Sequence, residues 1–133
     1  MTAGYLLDTS VLIELLRGRA ETARSRFVDA RGSIAVSTIS VHELAYGVER
    51  SARPEANREA VTELLSLVTV LPFDEPAAAA AAAIRADLAR RGTPIGAFDF
   101  LIAGHALAMG MTVVTNNLSE FARVHGLVVE DWR

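Results

Sequence analysis

Cysteine and lysine are both absent from the 133-residue sequence. The first absence excludes disulfides, thiolate zinc sites and cysteine nucleophiles. The second leaves arginine to supply all 13 basic side chains, and it removes enzyme classes that rely on a lysine amine in the site. Arginine's planar fork suits carboxylate and phosphate recognition, although a lysine-free, alanine-rich chain is also what a biased base composition produces. Long mixed apolar runs are missing too. The longest is seven alanines, Ala77 to Ala83, with Arg85 close behind, so no transmembrane span is expected. Nor does the passage from Met1 to Tyr5-Leu6-Leu7-Asp8 contain the basic, apolar and small-residue segments of a secretory signal. A cytoplasmic protein is the expectation.

What is present is a chain that is 51% apolar, enough to bury a sizeable core and fold as a single domain over residues 1–133. A net charge of −3 does not by itself point to nucleic acid. Tyr5-Leu6-Leu7 before Asp8 reads as a buried strand. A helical pattern over Val11–Arg17 breaks at Gly18, and a second over Glu21–Ala30 turns Phe27 and Val28 inward. Ser33–Ser37 reads as strand two, Val68–Phe73 as strand three and Thr112–Thr115 as strand four, with Val128-Val129 as a last edge strand. Between them, Ser40-Val41-His42-Glu43 matches a capping box that opens a helix, and Pro54 opens another. The alanine run belongs to a helix over Glu75–Arg91 that stops at Gly92, and a further helix runs from Phe98 to Met109. Alternating strands and helices predict an α/β fold with a mainly parallel central sheet of four to five strands, covered on both faces.

Acidic residues cluster where such a fold places its sites, beyond the carboxyl ends of the strands. Asp8 ends strand one. Glu43 falls in the first turn of the helix after strand two, Asp99 in the first turn of the helix after Thr93-Pro94-Ile95-Gly96, and Glu120 just after strand four. Each alone has a structural explanation, because acids at helix N-termini gain about 0.3–1 kcal/mol from the helix dipole. Capping acids need not converge, however, and these arise from elements that the sheet can bring together. Packed carboxylates repel unless a cation compensates. Hard oxygen ligands suit Mg²⁺ or Mn²⁺, and such an ion suits phosphodiester hydrolysis.

Four segments carry a resemblance to a known family. Leu6-Leu7-Asp8-Thr9-Ser10-Val11-Leu12-Ile13 resembles the opening motif of PIN domains, and Ile39–Gly47 resembles the second, with Glu43 in place. Gly92–Asp99 followed by Leu101-Ile102-Ala103-Gly104-His105-Ala106 resembles the third. Val113-Val114-Thr115-Asn116-Asn117, then Glu120-Phe121, Gly126-Leu127 and Trp132, resembles the C-terminal signature of the VapC toxin branch. The resemblance implies a PIN-like fold and a Mg²⁺- or Mn²⁺-dependent endoribonuclease toxin, homodimeric and held inactive by a cognate antitoxin. It carries metal binding and catalysis to Asp8, Glu43 and Asp99, and a supporting hydroxyl to Thr9. Many members have aspartate where this chain has Asn117, so Glu120 is expected to supply the fourth acid instead, with Asn116 or Asn117 as a neutral helper, and the site to hold either one metal or two. The implied substrate is RNA, above all a tRNA anticodon loop, and initiator tRNA within that class. It would be gripped by arginines such as Arg17, Arg85, Arg90 and Arg91, and cut to a 5′-phosphate and a 3′-hydroxyl. An antitoxin segment over the pocket is expected to set an arginine against the acids.

Other readings account for less. His42-Glu43-Leu44-Ala45-Tyr46 opens like a zinc-protease helix, but Tyr46 stands where the second histidine is needed. A phosphoacceptor domain also puts an aspartate after strand one, but it needs a lysine, and the dehalogenase-like pattern wants aspartate where Ser10 stands. The remaining alternative is a catalytically silent PIN-fold interaction module. His105 reads as a polar residue near a helix face, His125 as surface, and Phe98, Phe100, Phe121 and Trp132 as core or interface.

Overall fold

The computed structural model describes residues 4–133. Five strands form one parallel sheet: β1 (Tyr5–Leu7), β2 (Ile34–Ser37), β3 (Thr69–Leu71), β4 (Thr112–Val114) and β5 (Val129–Glu130), in the order β3-β2-β1-β4-β5. Tyr5 registers with Ile34 on one side and Thr112 on the other, so β1 is the central strand. The chain winds outward from β1 to β3 and then crosses back to β4, which makes the β1–β4 boundary the point where strand order reverses. Sites in open parallel sheets form at that boundary, outside the carboxyl ends.

Strand alternation sends side chains to two separate cores. Leu6, Ala35 and Val113 face one layer, where they meet Ile84 and Leu88 of α5 (Glu75–Arg90) and Ile102, Ala103 and Ala106 of α6 (Ala97–Met109). Leu7, Ile34, Val36 and Val114 face the other. That layer is built from α1 (Thr9–Arg17), α2 (Glu21–Asp29), α3 (Thr38–Glu49) and α4 (Pro54–Leu65), and it contains Val11, Leu12, Phe27, Leu44 and Trp132. A short α7 (Leu118–Phe121) closes the chain's path from β4 to β5. Among the described residues no helix is long and apolar enough to cross a membrane.

The alanine run serves packing as well as helix propensity. Ala77, Ala81, Ile84 and Leu88 are its buried positions, at the spacing of one helical face. Gly104 of α6 lies against that face so closely that a Cβ on it would stand 2.5 Å from the Ala81 Cα and backbone nitrogen. The two helices therefore meet backbone to backbone, which only small residues allow.

Two local expectations need correction. Val28 points outward, 52% exposed, and Phe27 alone enters the core, because buried Ala23 and Phe27 are one turn apart on α2 and Val28 lies off that face. The N-cap of α3 is Ser37, not Ser40: the Ser37 hydroxyl accepts the Ile39 N–H at 3.1 Å. Glu43 consequently sits in the second turn of α3, facing α1 rather than folding back on its own helix.

Candidate active site

Asp8 leaves the end of β1 still paired to the sheet, its N–H donating to the Val114 carbonyl at 2.8 Å. It also caps α1. Only 4% exposed, its carboxylate is surrounded by donors: the Thr9 N–H reaches Oδ1 at 2.8 Å, while the hydroxyls of Ser10 and Thr115 donate to Oδ2 at 2.9 and 2.8 Å. Burial pushes the carboxyl above its ordinary range, and these bonds pull against it. Ser10 and Thr115 in turn accept the N–H groups of Asn116 and Asn117 at 3.2 and 2.9 Å. The loop after β4 is thereby folded down beside Asp8.

Glu43 arrives from α3. The Thr9 hydroxyl donates to its Oε1 at 2.7 Å and also lies 3.0 Å from the buried Ser40 hydroxyl. Thr9 thus reaches the first acid through its backbone and the second through its side chain. Asp99 stands in the first turn of α6. Gly96 beneath it has no side chain, and a Cβ there would stand 3.3 Å from Asp99 Oδ2. Asn117 Nδ2 donates to Glu120 Oε2 and, at 3.4 Å, to Asp99 Oδ2, so a neutral amide joins these two acids. Asn116 contributes its backbone: its carbonyl accepts from Arg133 at 3.2 Å.

The charges of the other three acids reach Asp99. Its pKa is pushed up to about 7, first by burial and then by the charges of Asp8, Glu120 and Glu43, with a hydrogen bond to Glu120 adding to them. The nearby ring of hydroxyls, N–H groups and one amide eases single carboxylates but cancels no charge. Among the described residues no three acidic or histidine side chains are already closed around a metal position. A Mg²⁺ site does not require that, since this ion commonly takes one or two carboxylates and completes its shell with water and phosphate oxygens. The donor set is all oxygen and carries uncompensated negative charge, and it fits a hard divalent cation.

Every acid singled out in the sequence thus lies at this one end of the sheet, together with Thr9 and Asn117. Ser10, Ser40 and Thr115 are the members that sequence reading passed over. Their signal was a hydroxyl within three residues of each of two acids, or at the end of the neighbouring strand. His105 is buried, with Nδ1 2.8 Å from the capping hydroxyl of Ser37, while His125 is exposed. Phe121 and Trp132 are fully buried, but Phe98 is 43% exposed. Of the four candidate arginines, Arg90 and Arg91 pair with Asp87 at 3.8 and 2.7 Å, and Arg85 lies over Phe100 at 5.3 Å. Arg17 lines a cleft that also contains Glu43.

Comparison with known proteins agrees with this geometry. Residues 5–127 match the PIN domain family. The chain is 42% identical over 128 residues to the tRNA(fMet)-specific endonuclease VapC of Shigella flexneri, covering 96% of this chain and 97% of that one. It is 44% identical, with the same coverage, to the protein of that name from Salmonella typhimurium. Its fold superposes on the DNA-bound VapBC crystal structure from Salmonella typhimurium with a TM-score of 0.95 at 42% identity, covering 99% of this chain and 100% of that one. A five-stranded parallel sheet with its acids gathered at the strand-order reversal, matched over nearly its whole length, places this chain in the PIN-domain family, among the VapC proteins.

Proposed function

We propose that this protein is a metal-dependent endoribonuclease, the toxin of a toxin–antitoxin pair, and that Asp8, Glu43, Asp99 and Glu120 are its catalytic acids. The observation that carries the reading is the convergence of four acids at the strand-order reversal, with Thr9 bridging Asp8 and Glu43 and Asn117 bridging Asp99 and Glu120; their mutual repulsion adds to burial in raising the Asp99 pKa. Folding does not assemble such repulsion for stability's sake, and a bound cation removes it. Asp8, Asp99 and Glu43 are the residues that would hold Mg²⁺ or Mn²⁺. When bound, the ion supplies Lewis acidity toward phosphate oxygens and makes water a better nucleophile near neutral pH.

The chain's own groups do the rest. Ser10, Thr115 and the Thr9 N–H keep the Asp8 carboxylate in one orientation, and the Thr9 hydroxyl does the same for Glu43. Glu120, held by Asn117 beside Asp99, would orient the attacking water and take its proton. The water oxygen bonds to phosphorus, the bond from phosphorus to the 3′-oxygen breaks, and a proton passes to that oxygen. The products are a 5′-phosphate and a 3′-hydroxyl, and the 2′-hydroxyl is not the nucleophile.

The substrate we infer is tRNA, cut in its anticodon loop. Initiator tRNA is favoured by the two relatives named for tRNA(fMet) at 42% and 44% identity. The protein would act in the cytoplasm as a homodimer. An antitoxin segment, with an arginine against the acids, would silence it, as the likeness to a VapBC complex suggests. That contact predicts weaker antitoxin binding when Asp8 and Glu43 are both replaced by alanine.

The deciding experiment incubates antitoxin-free protein with total cellular RNA and Mg²⁺ or Mn²⁺, beside EDTA and the Asp8→Ala, Asp99→Ala and Glu120→Ala variants. Discrete new RNA ends, lost with EDTA and with Asp8→Ala, are expected. If folded wild-type protein cuts nothing with either metal, the chain is a silent PIN-fold module instead.

A further inference from the structure

Two of the acids have an exposed ring as their immediate neighbour in the chain. His42 immediately precedes Glu43, and Phe98 immediately precedes Asp99. Their rings lie 5.9 Å apart, tilted by 49°, with His42 exposed and Phe98 43% exposed. One turn further along α3 stands Tyr46, 59% exposed, and one turn beyond that Arg50, whose guanidinium lies over the Tyr46 ring at 5.3 Å. Residues 42, 46 and 50 share one helix face. An open stripe of π surface ending in a cation therefore leads away from the acids. We propose that Phe98 and His42, continued by Tyr46 and Arg50, form a stacking subsite for an unpaired nucleotide of the RNA beside the scissile phosphate.

This rests on the nuclease reading above and adds what the site selects. Every base has a π face, so stacking grips unpaired RNA without regard to sequence, and a duplex hides those faces from it. A cation beside the rings adds attraction for both base and backbone. Position argues for the same occupant. The two rings directly precede two of the acids in the chain, which sets the stack beside the carboxylates along both α3 and α6. A second copy of the protein is a poorer fit. A stable interface covers roughly 800 Å² on each partner, and three rings with one guanidinium along a single helix and a turn offer much less. Arg50 belongs to no ion pair among the described residues, which leaves it available to a phosphate.

The test compares wild type with Phe98→Ala, Phe98→Leu and Phe98→Tyr. It measures kcat and KM on an anticodon stem-loop of initiator tRNA, with melting temperature and solution mass recorded for each. Loss of one base stack is expected to lower kcat/KM about 5- to 150-fold in Phe98→Ala, chiefly through KM. Phe98→Leu should recover little of this and Phe98→Tyr nearly all, with mass unchanged. Equal kcat/KM in wild type and Phe98→Ala overturns the subsite, as does rescue by leucine as complete as that by tyrosine. A change of mass in Phe98→Ala assigns the stripe to a protein interface instead. Failure of wild type to cleave the stem-loop or total RNA under any metal counts against the nuclease reading itself, a result distinct from these.

Discussion

Burial and bonding oppose one another at Asp8, and in the proposed metal-binding role the bonds decide how well it serves a cation. A carboxylate that is only 4% exposed is destabilised as an anion, and Thr115 and Ser10 offset much of that through Oδ2. Thr115→Val keeps the shape and removes both the donor to Asp8 and the acceptor of the Asn117 N–H, and a hydrogen bond to a charged group contributes about 1.5–3 kcal/mol. Mn²⁺ affinity, read by titration calorimetry, should therefore fall roughly tenfold or more, and the unfolding temperature of the metal-free protein should fall as well. Asp99 sets the pH response. It titrates near 3.9 in an unfolded chain and at about 7 in the folded one, so between those values the folded state holds a proton the unfolded state has lost. Stability from this group is intact below about pH 4, declines as pH rises, and is gone above about pH 7. Asp99→Asn should thus stabilise the metal-free protein at pH 8 by about 1–2 kcal/mol once its partial exposure is discounted, seen as a higher melting temperature, and by less at pH 5. Equal melting temperatures at pH 8 contradict the assignment.

At the scale of elements, what the sequence revealed and what it hid divide along local and non-local causes. Gly18 and Gly92 stop helices because each adopts a positive φ of 69°, a signal that glycine carries by itself. The parallel sheet was equally legible, since Leu6-Leu7, Ile34–Val36 and Val113-Val114 are apolar on both faces. The start of α3 was not. Ser37 and Ser40 both satisfy the local rules for a cap, and the choice between them depends on partners far along the chain. His105 lies against Ser37, while Thr9 lies against Ser40 and Glu43. For the same reason the acids of the site were visible as residue types, but Ser10, Ser40 and Thr115 became meaningful only once α1, α3 and β4 were side by side. The α5–α6 contact hid in the same way, with seven alanines suggesting propensity alone. It yields a sharp prediction. Gly104→Ala forces a methyl into the Ala81 backbone, and overpacking of this kind costs about 1–3 kcal/mol. Denaturant unfolding should register that loss even though alanine is the better helix former. His105→Leu should also destabilise, by about 1–3 kcal/mol, because the cap hydroxyl of Ser37 loses its buried partner.

The molecule as a whole must hold a polyanion while carrying a net charge of −3. The contradiction is confined to the pocket. Without the four carboxylates of Asp8, Glu43, Asp99 and Glu120, the remaining residues sum to −3 + 4 = +1, so the repulsion that RNA would meet is concentrated where the proposed site puts its phosphate. A divalent cation in that place changes the sign of the local field. RNA binding, and not only cleavage, should therefore depend on metal, which distinguishes this arrangement from a basic groove that binds with or without one. The same logic predicts that neutralising the acids substitutes for the cation. Asp8→Asn combined with Asp99→Asn should bind an anticodon stem-loop in EDTA more tightly than wild type does in EDTA, yet cleave nothing when Mg²⁺ is restored. Filter binding across a salt series checks this directly, because the logarithm of an affinity carried by arginine–phosphate contacts falls linearly with log salt. Equal affinities in EDTA would mean that the RNA backbone does not approach these carboxylates, and the substrate path would then have to run elsewhere on the surface.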